Sequence, residues 1–179
     1  PIAYKKVSHS DNVDIAYIDA TPTSCVKFAF NTIYLNEKPD VVVSGINHGS
    51  NASSASCYSG TLGAVEEAAL LGIPGIGVSL DTVNPEADFS AVRKYFPDIF
   101  RKLTESLPQK YGVYYNVNFP AIPAEEIRGI RAARQGKGTW IKEFVPWEPE
   151  KYCRLGMTPE SFGVSRDIRK EDGEEIFMM

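Results

Sequence analysis

One segment, residues 39–80, limits the possible folds of this chain more than any other. It begins with a strand pattern at residues 40–44, whose β-branched and uninterrupted apolar centre is typical of a strand buried on both faces. A polar loop follows at once, and residues 61–71 then have helical spacing that Gly72 and the proline beyond it bring to an end. This order predicts an open α/β sheet, which binds its ligands at the carboxyl ends of its strands.

The start of the predicted helix carries Ser59, Gly60 and Thr61. Free backbone N–H groups and the positive end of the helix dipole favour an anion there, two hydroxyls add donors, and a glycine lets the backbone come close. Ser59 and Thr61 also fit the commoner role of N-cap residues. Both roles use the same helix end, so they are compatible, and we expect a phosphate pocket.

Strand and helix patterns alternate along the chain. Alternation of this kind indicates a parallel sheet joined by right-handed crossovers, with helices on both faces. We expect Pro97 to kink or break the last helix. The predicted strands are residues 15–18, 41–44, 75–80 and 111–118, and the predicted helices are residues 21–35, 61–71 and 89–106.

Composition narrows the class of protein. With 179 residues, 43% of them hydrophobic, the chain is long enough for one α/β domain. A net charge of −4 argues against a partner such as a nucleic-acid duplex, because proteins that bind the phosphate backbone have a basic face. Three widely spaced cysteines suggest no disulfide framework, which favours a cytoplasmic location. No apolar run approaches the roughly 18 residues that a membrane span needs, so we expect no membrane partner.

Several short motifs of the sequence resemble those of one family. They stand in order along the chain, each in a strand, loop or helix context, and together they resemble the SurE family of metal-dependent nucleotidases. The resemblance covers roughly residues 20–138. The motifs that carry it are ATPTSC at residues 20–25, GINHGSN at 45–51, YSGT at 58–61, LGIPGIGVSL at 71–80, NVNFP at 116–120 and GIRAARQG at 129–136.

The resemblance implies a three-layer Rossmann-like domain and a set of site residues. Asn47 matches a ligand of a divalent metal ion, Mg²⁺ or Mn²⁺. Asn51, Ser59, Gly60 and Thr61 match positions that line the phosphate site. The family's paired aspartates and its metal-binding serine belong to two motifs that come earlier in the family's sequences, and these 179 residues do not contain them. We therefore expect residues 1–138 to be part of the domain, with N-terminal strands missing, and the catalytic nucleophile or base stays unidentified.

The implied reaction is the hydrolysis of nucleoside 5′- and 3′-monophosphates, and the small-molecule partner is the nucleotide. Two alternatives stay open: a non-catalytic phosphate-binding or nucleotide-binding domain, and an assembly subunit of the same fold. Residues 139–179 have aromatic residues and prolines among charges, without a clean period. We expect an extended or hairpin excursion there, and the resemblance implies that such arms build a homodimer or tetramer.

Single residues also permit plainer interpretations. Asn47, taken alone, fits a turn residue at the end of a strand. His48 follows it directly and is a candidate general acid, although a lone histidine in a loop is usually only solvated. Arg131 and Arg134 alternate with apolar residues, which favours a solvent-facing side of a strand over a binding role.

Overall fold

A computed structural model describes residues 2–107, 110–140, 144–146, 162–164 and 168–169. Among them are three α-helices and nine short or medium strands. The helices are α1 (Pro22–Thr32), α2 (Gly60–Leu70) and α3 (Ser90–Thr104). The strands are β1 (Tyr4–Ser10), β2 (Val13–Ile18), β3 (Val42–His48), β4 (Gly75–Asp81), β5 (Tyr115–Pro120), β6 (Thr139–Trp140), β7 (Phe144–Pro146), β8 (Phe162–Val164) and β9 (Ile168–Arg169).

The centre of the fold is a parallel sheet in the order β3, β4, β5. Val43 lies beside Ile76, and Ile76 lies beside Tyr115. Six of the seven residues of β4 are buried, because it is the middle strand and has helices above and below. The predicted parallel arrangement of these three strands is confirmed.

The two faces of β4 explain the three layers. Gly75 and Gly77 face α2, where a Cβ atom on either would lie 2.7 Å from Val65 or from Leu62. The opposite face is apolar and packs against α3. The core on that side consists of Ile76, Val78, Leu80, Val92, Ile99 and Phe119. Small residues on one face therefore let α2 approach closely, and large residues on the other fill the space below α3.

The predicted strand at residues 15–18 is wrong in its pairing. It forms part of β2, which pairs antiparallel with β1 in a separate two-stranded hairpin and not with the central sheet. Asp11 and Asn12 connect the two strands, and such a short polar turn favours local antiparallel pairing over a crossover. The hairpin is largely exposed, with Val13 at 54% and Tyr17 at 56%.

The starts of α1 and α2 have identifiable causes, and α3 contains a proline. Thr21 caps α1, and its Oγ1 accepts a hydrogen bond from the N–H of Ser24 at 3.3 Å. A Cβ on Gly60 would lie 3.1 Å from Cγ of Pro22, which shows how closely the starts of α1 and α2 approach. Helix α3 continues through Pro97 without a break, so a break there is wrong. Its apolar side packs on the core both before and after the proline.

The later strands form two separate antiparallel pairs. Thr139 of β6 pairs with Arg169 of β9, and Phe144 of β7 pairs with Val164 of β8. Most of the expected excursion at residues 139–179 lies outside the described residues, and its extent stays a prediction. No described helix is long and apolar enough to cross a membrane.

Candidate functional site

The start of α2 has the geometry that an anion site requires. The side chain of Ser59 caps the helix, with its Oγ accepting the N–H of Leu62 at 3.1 Å, and its carbonyl accepts the N–H of Gly63 at 2.9 Å. The N–H groups of Gly60 and Thr61 belong to the first turn and have no acceptor within the helix. Two backbone donors and the positive end of the dipole therefore lie together.

Two of the predicted phosphate residues differ in exposure. Gly60 is exposed, whereas Thr61 is 9% exposed and lies among the buried residues of α2. The absence of a side chain at Gly60 also makes room for Pro22 of the neighbouring helix. The glycine therefore serves helix packing as well as any approach of a ligand.

Asn47 lies near the carboxyl end of β3, which continues through His48, and it pairs there with Ser79 of β4. Its Nδ2 donates to the carbonyl oxygen of Gly49 at 2.7 Å, which leaves Oδ1 available as a ligand. Gly45 has a φ of +122°, and a Cβ there would collide with the carbonyl oxygen of Val78. A glycine is required at this position because the register of β3 against β4 is irregular between Ser44 and Asn47, and the β3 backbone comes too close to β4 there for a side chain.

Asn51 is the most buried of the predicted site residues, with 3% exposed. Its Nδ2 donates to Oγ of Ser79 at 2.5 Å, and its backbone N–H donates to Oδ1 of Asn118 at 2.8 Å. Its carbonyl oxygen accepts from Nδ2 of Asn116 at 3.0 Å. The residue thus anchors the loop to β4 and β5, and a direct contact with phosphate stays a prediction.

The anchoring side chains come from adjacent positions of the sheet. Ser79 and Asn118 are partners in the register of β4 and β5, and Asn116 lies two residues earlier on the same face. Asn118 Nδ2 donates to Oδ1 of Asn116 at 2.9 Å, which completes the network. This face is the one that α2 covers. This anchoring role of the NVNFP motif was not predicted from the sequence, although the spacing of two between the asparagines was a usable signal.

A second unpredicted residue reaches the same region from farther along the chain. Between the polar loop and α2 lies a 3-10 turn, Ser53–Tyr58. Gln135 donates from Nε2 to the carbonyl oxygen of Ser53 at 2.9 Å and to Oγ of Ser56 at 2.8 Å. The GIRAARQG motif therefore contacts the turn that leads into Ser59.

The remaining candidates have ordinary surroundings. His48 is exposed, and its ring stacks on Phe89 with centroids 5.0 Å apart. Arg131 and Arg134 are exposed, as expected, but residues 127–138 form no strand, and Ala132 and Ala133 between them are exposed as well, so the predicted strand is wrong. Burial raises the pKa of Tyr114, and the charge of the nearby Glu66 raises it further.

The donor set suits only part of a metal site. A neutral amide oxygen such as Oδ1 of Asn47 is a suitable hard ligand beside carboxylates for Mg²⁺ or Mn²⁺. Within the described residues, no three His, Cys, Asp or Glu side chains are grouped so that they could hold a metal ion. Asn47 therefore fits as one member of a ligand set whose other members are not among these residues.

The parallel sheet, the polar loop at its carboxyl edge and the capped helix start define a Rossmann-like α/β domain with a candidate anion site. A family model described as "Survival protein SurE" matches residues 1–142. The chain belongs to the SurE family.

Curated relatives and a solved structure agree with this membership. The chain is 45% identical over 132 residues to "5′-nucleotidase SurE" of Cytophaga hutchinsonii, covering 73% of this chain and 50% of that protein. It is 43% identical over 169 residues to the protein of the same name from Flavobacterium johnsoniae, covering 90% and 64%. The SurE protein of Aquifex aeolicus superposes with a TM-score of 0.70 at 33% identity, covering 84% of this chain and 59% of that one. The chain spans about half the length of the curated relatives it matches.

Proposed function

We propose that this chain forms the phosphate-binding part of an enzyme that hydrolyses nucleoside 5′- and 3′-monophosphates to a nucleoside and inorganic phosphate. The observation that carries the proposal is the start of α2, where Ser59 caps the helix and the N–H groups of Gly60 and Thr61 are free of helix partners. Over the aligned segments, relatives named 5′-nucleotidase SurE are 39–47% identical to this chain. That likeness supports a nucleotide as the substrate.

The site residues have a definite part in this reaction. Water attacks the phosphorus atom and the bond to the nucleoside oxygen breaks, so negative charge is spread over the equatorial phosphoryl oxygens in the transition state. Preorganised N–H and O–H donors that point at those oxygens stabilise the charge at no cost of reorganisation. Ser59, Gly60 and Thr61 supply such donors. Asn51 fixes the loop in front of them through Ser79 and Asn118.

The family is generally dependent on a divalent metal ion, and Mg²⁺ or Mn²⁺ suits the oxygen ligand that this chain offers. We propose that Oδ1 of Asn47 is one ligand of that ion. When bound, such an ion polarises the phosphate and lowers the pKa of its water. The hydrogen bond from Nδ2 of Asn47 to Gly49 keeps the amide in one orientation, which is what a ligand needs.

Two further properties are part of the proposal. We propose a homodimer or tetramer in which the strand pairs β6–β9 and β7–β8 contribute to the interface, since an isolated pair of strands has few ways to bury its own side chains. We also propose a cytoplasmic location. The free thiols of Cys25 and Cys57 are consistent with a reducing compartment.

The test is a steady-state assay of the protein expressed from its complete reading frame. AMP and 3′-AMP are offered with Mn²⁺, with Mg²⁺ or with EDTA, and released phosphate is measured. The proposal expects turnover of both nucleotides with metal and none with EDTA. Phosphate binding without turnover under any metal would instead identify a non-catalytic nucleotide-binding domain. A protein that neither binds phosphate nor releases it would favour the assembly subunit.

A further inference from the structure

We infer that Gln135 is a positioning residue that sets the orientation of the phosphate-binding start of α2. The inference rests on the proposed function, because it gives Gln135 a part in binding the same phosphate. Gln135 touches no reacting group itself. It acts through the 3-10 turn Ser53–Tyr58, which runs directly into the helix cap at Ser59.

The contact uses both hydrogens of one amide group. Nε2 of Gln135 donates to the carbonyl oxygen of Ser53 at 2.9 Å and to Oγ of Ser56 at 2.8 Å. Oγ of Ser56 in turn donates to the same carbonyl of Ser53 at 2.8 Å. Because a carbonyl oxygen only accepts, the group that faces it must be the nitrogen of the amide. The three residues form a closed arrangement that removing the amide would open.

The turn requires such a partner because its first residue is strained. Ser53 has a φ of +53°, in the left-handed region that residues other than glycine rarely adopt. A conformation of this kind persists only where surrounding contacts hold it. Two contacts from the same distant segment do so: the amide of Gln135, and the carbonyl of Gly138, which accepts the N–H of Ser54 at 3.2 Å.

The turn transmits its position to the site over a short path. The N–H of Ser59 donates to the carbonyl oxygen of Ser56 at 3.4 Å, so the residue that Gln135 contacts is also bonded to the helix cap. A shift of the turn therefore moves Ser59 and the free N–H groups of Gly60 and Thr61. Misplacement of binding groups by about 1 Å can cost up to about a hundredfold in rate.

Gln135 is exposed, which separates positioning from stability. Hydrogen bonds at the surface contribute little to the free energy of unfolding, since water replaces the lost partner. A residue of merely structural importance would change the melting temperature together with function. A positioning residue changes the local order of the turn and the affinity for phosphate while the melting temperature stays near the wild-type value.

The experiment compares Gln135→Met, which keeps the length of the side chain and removes the donor without adding charge, with the matched control Arg134→Met. Both are made in the protein expressed from its complete reading frame. Four quantities are measured: hydrogen exchange of the amides of residues 53–63, the dissociation constant of inorganic phosphate, and KM and kcat for AMP. Melting temperature is recorded for each variant.

The expected result for Gln135→Met is faster exchange confined to residues 53–63, with phosphate affinity weakened about tenfold and KM raised more than kcat is lowered. Arg134→Met should match the wild type. Unchanged exchange and affinity in Gln135→Met would overturn the inference, and so would a general loss of protection across the chain. If the wild-type protein hydrolyses no nucleotide, the proposed function fails, and the exchange of residues 53–63 alone decides the positioning role.

Discussion

The side chain of Asn118 bonds directly to the backbone of Asn51, with Oδ1 accepting the N–H at 2.8 Å, although the two residues are 67 positions apart. Asn118 also accepts from the hydroxyl of Ser50 at 3.3 Å. The loop that leaves β3 is therefore fixed to β5, which is not a neighbour of β3 in the sheet. One buried amide thus holds the loop across the whole width of the three strands.

Replacing Asn118 by alanine should lower the free energy of unfolding by about 1–3 kcal/mol, because the N–H of Asn51 would stay buried without a partner. Chemical denaturation measures the change. The matched control is Asn31→Ala on the exposed side of α1, where Nδ2 donates only to the carbonyl of Lys27. The control should change stability by less than about 0.5 kcal/mol. Equal effects in both variants would show that the Asn118 contact contributes nothing special.

Alanine at Gly75 should destabilise the protein more than alanine at Gly77. At Gly75 the new methyl would meet the Cβ of Val65 at 2.7 Å and its carbonyl oxygen at 2.8 Å, so the backbone of α2 must move. At Gly77 the obstacle is a terminal methyl of Leu62, which can rotate away. We expect about 1–3 kcal/mol for Gly75→Ala and less for Gly77→Ala, measured by denaturation. The reverse order would contradict the packing of α2 described above.

Tyr114 should make stability fall at high pH. Burial raises the pKa of Tyr114 above its ordinary value of 10.0, with the negative charge of Glu66 adding to the effect. Above about pH 10 the unfolded chain releases this proton while the folded protein still holds it, so the unfolded state gains stability until the folded pKa is passed. The free energy of unfolding is measured from about pH 8 upward in the wild type and in Tyr114→Phe. The slope should be smaller in the variant, and identical slopes would remove Tyr114 as its source.

The hydroxyl of Thr61 should matter more than the rest of its side chain. Thr61→Val keeps the shape of this buried residue and removes the donor, whereas Thr61→Ser keeps the hydroxyl. In the protein from the complete reading frame we expect kcat/KM for AMP to fall by an amount equal to about 2–4 kcal/mol in Thr61→Val, and by much less in Thr61→Ser. Wild-type kcat and KM in Thr61→Val would exclude the hydroxyl from phosphate handling.

The order of strand, loop and helix at residues 39–80 was predictable because local chemistry and tertiary structure agree there. The predicted end of the strand at residue 44 is wrong, since β3 continues through His48 by pairing with β4. The buried face of α2 includes Leu62 and Val65, the residues whose spacing predicted the helix, and its cap is the expected Ser59. The hairpin of β1 and β2 was misassigned because alternation was applied to a strand whose partner immediately precedes it. The Asp11 and Asn12 turn carried the correct signal.

The residues that hold the site in place through hydrogen bonds were harder to predict. The hydrogen bonds of Asn118 and Gln135 span 67 and 79 or more positions, and no local pattern specifies which polar groups meet at such separation. The spacing of Asn116 and Asn118 showed that both lie on one face of a strand, but it did not show that this face contacts the loop that leaves β3. The assignment of Asn47 to a metal ion stays a prediction, as does an interface formed by residues 139–179.

The central claim is that the start of α2 binds the phosphate group, and Ser59→Asp tests it most directly. Aspartate is as good an N-cap as serine, so the helix and the melting temperature should be retained, while its charge occupies the place of the anion. The measurement is the dissociation constant of inorganic phosphate for the wild type and for Ser59→Asp. We predict that binding weakens by at least about tenfold, the effect of roughly 1.4 kcal/mol. An unchanged dissociation constant in a correctly folded variant would contradict the claim.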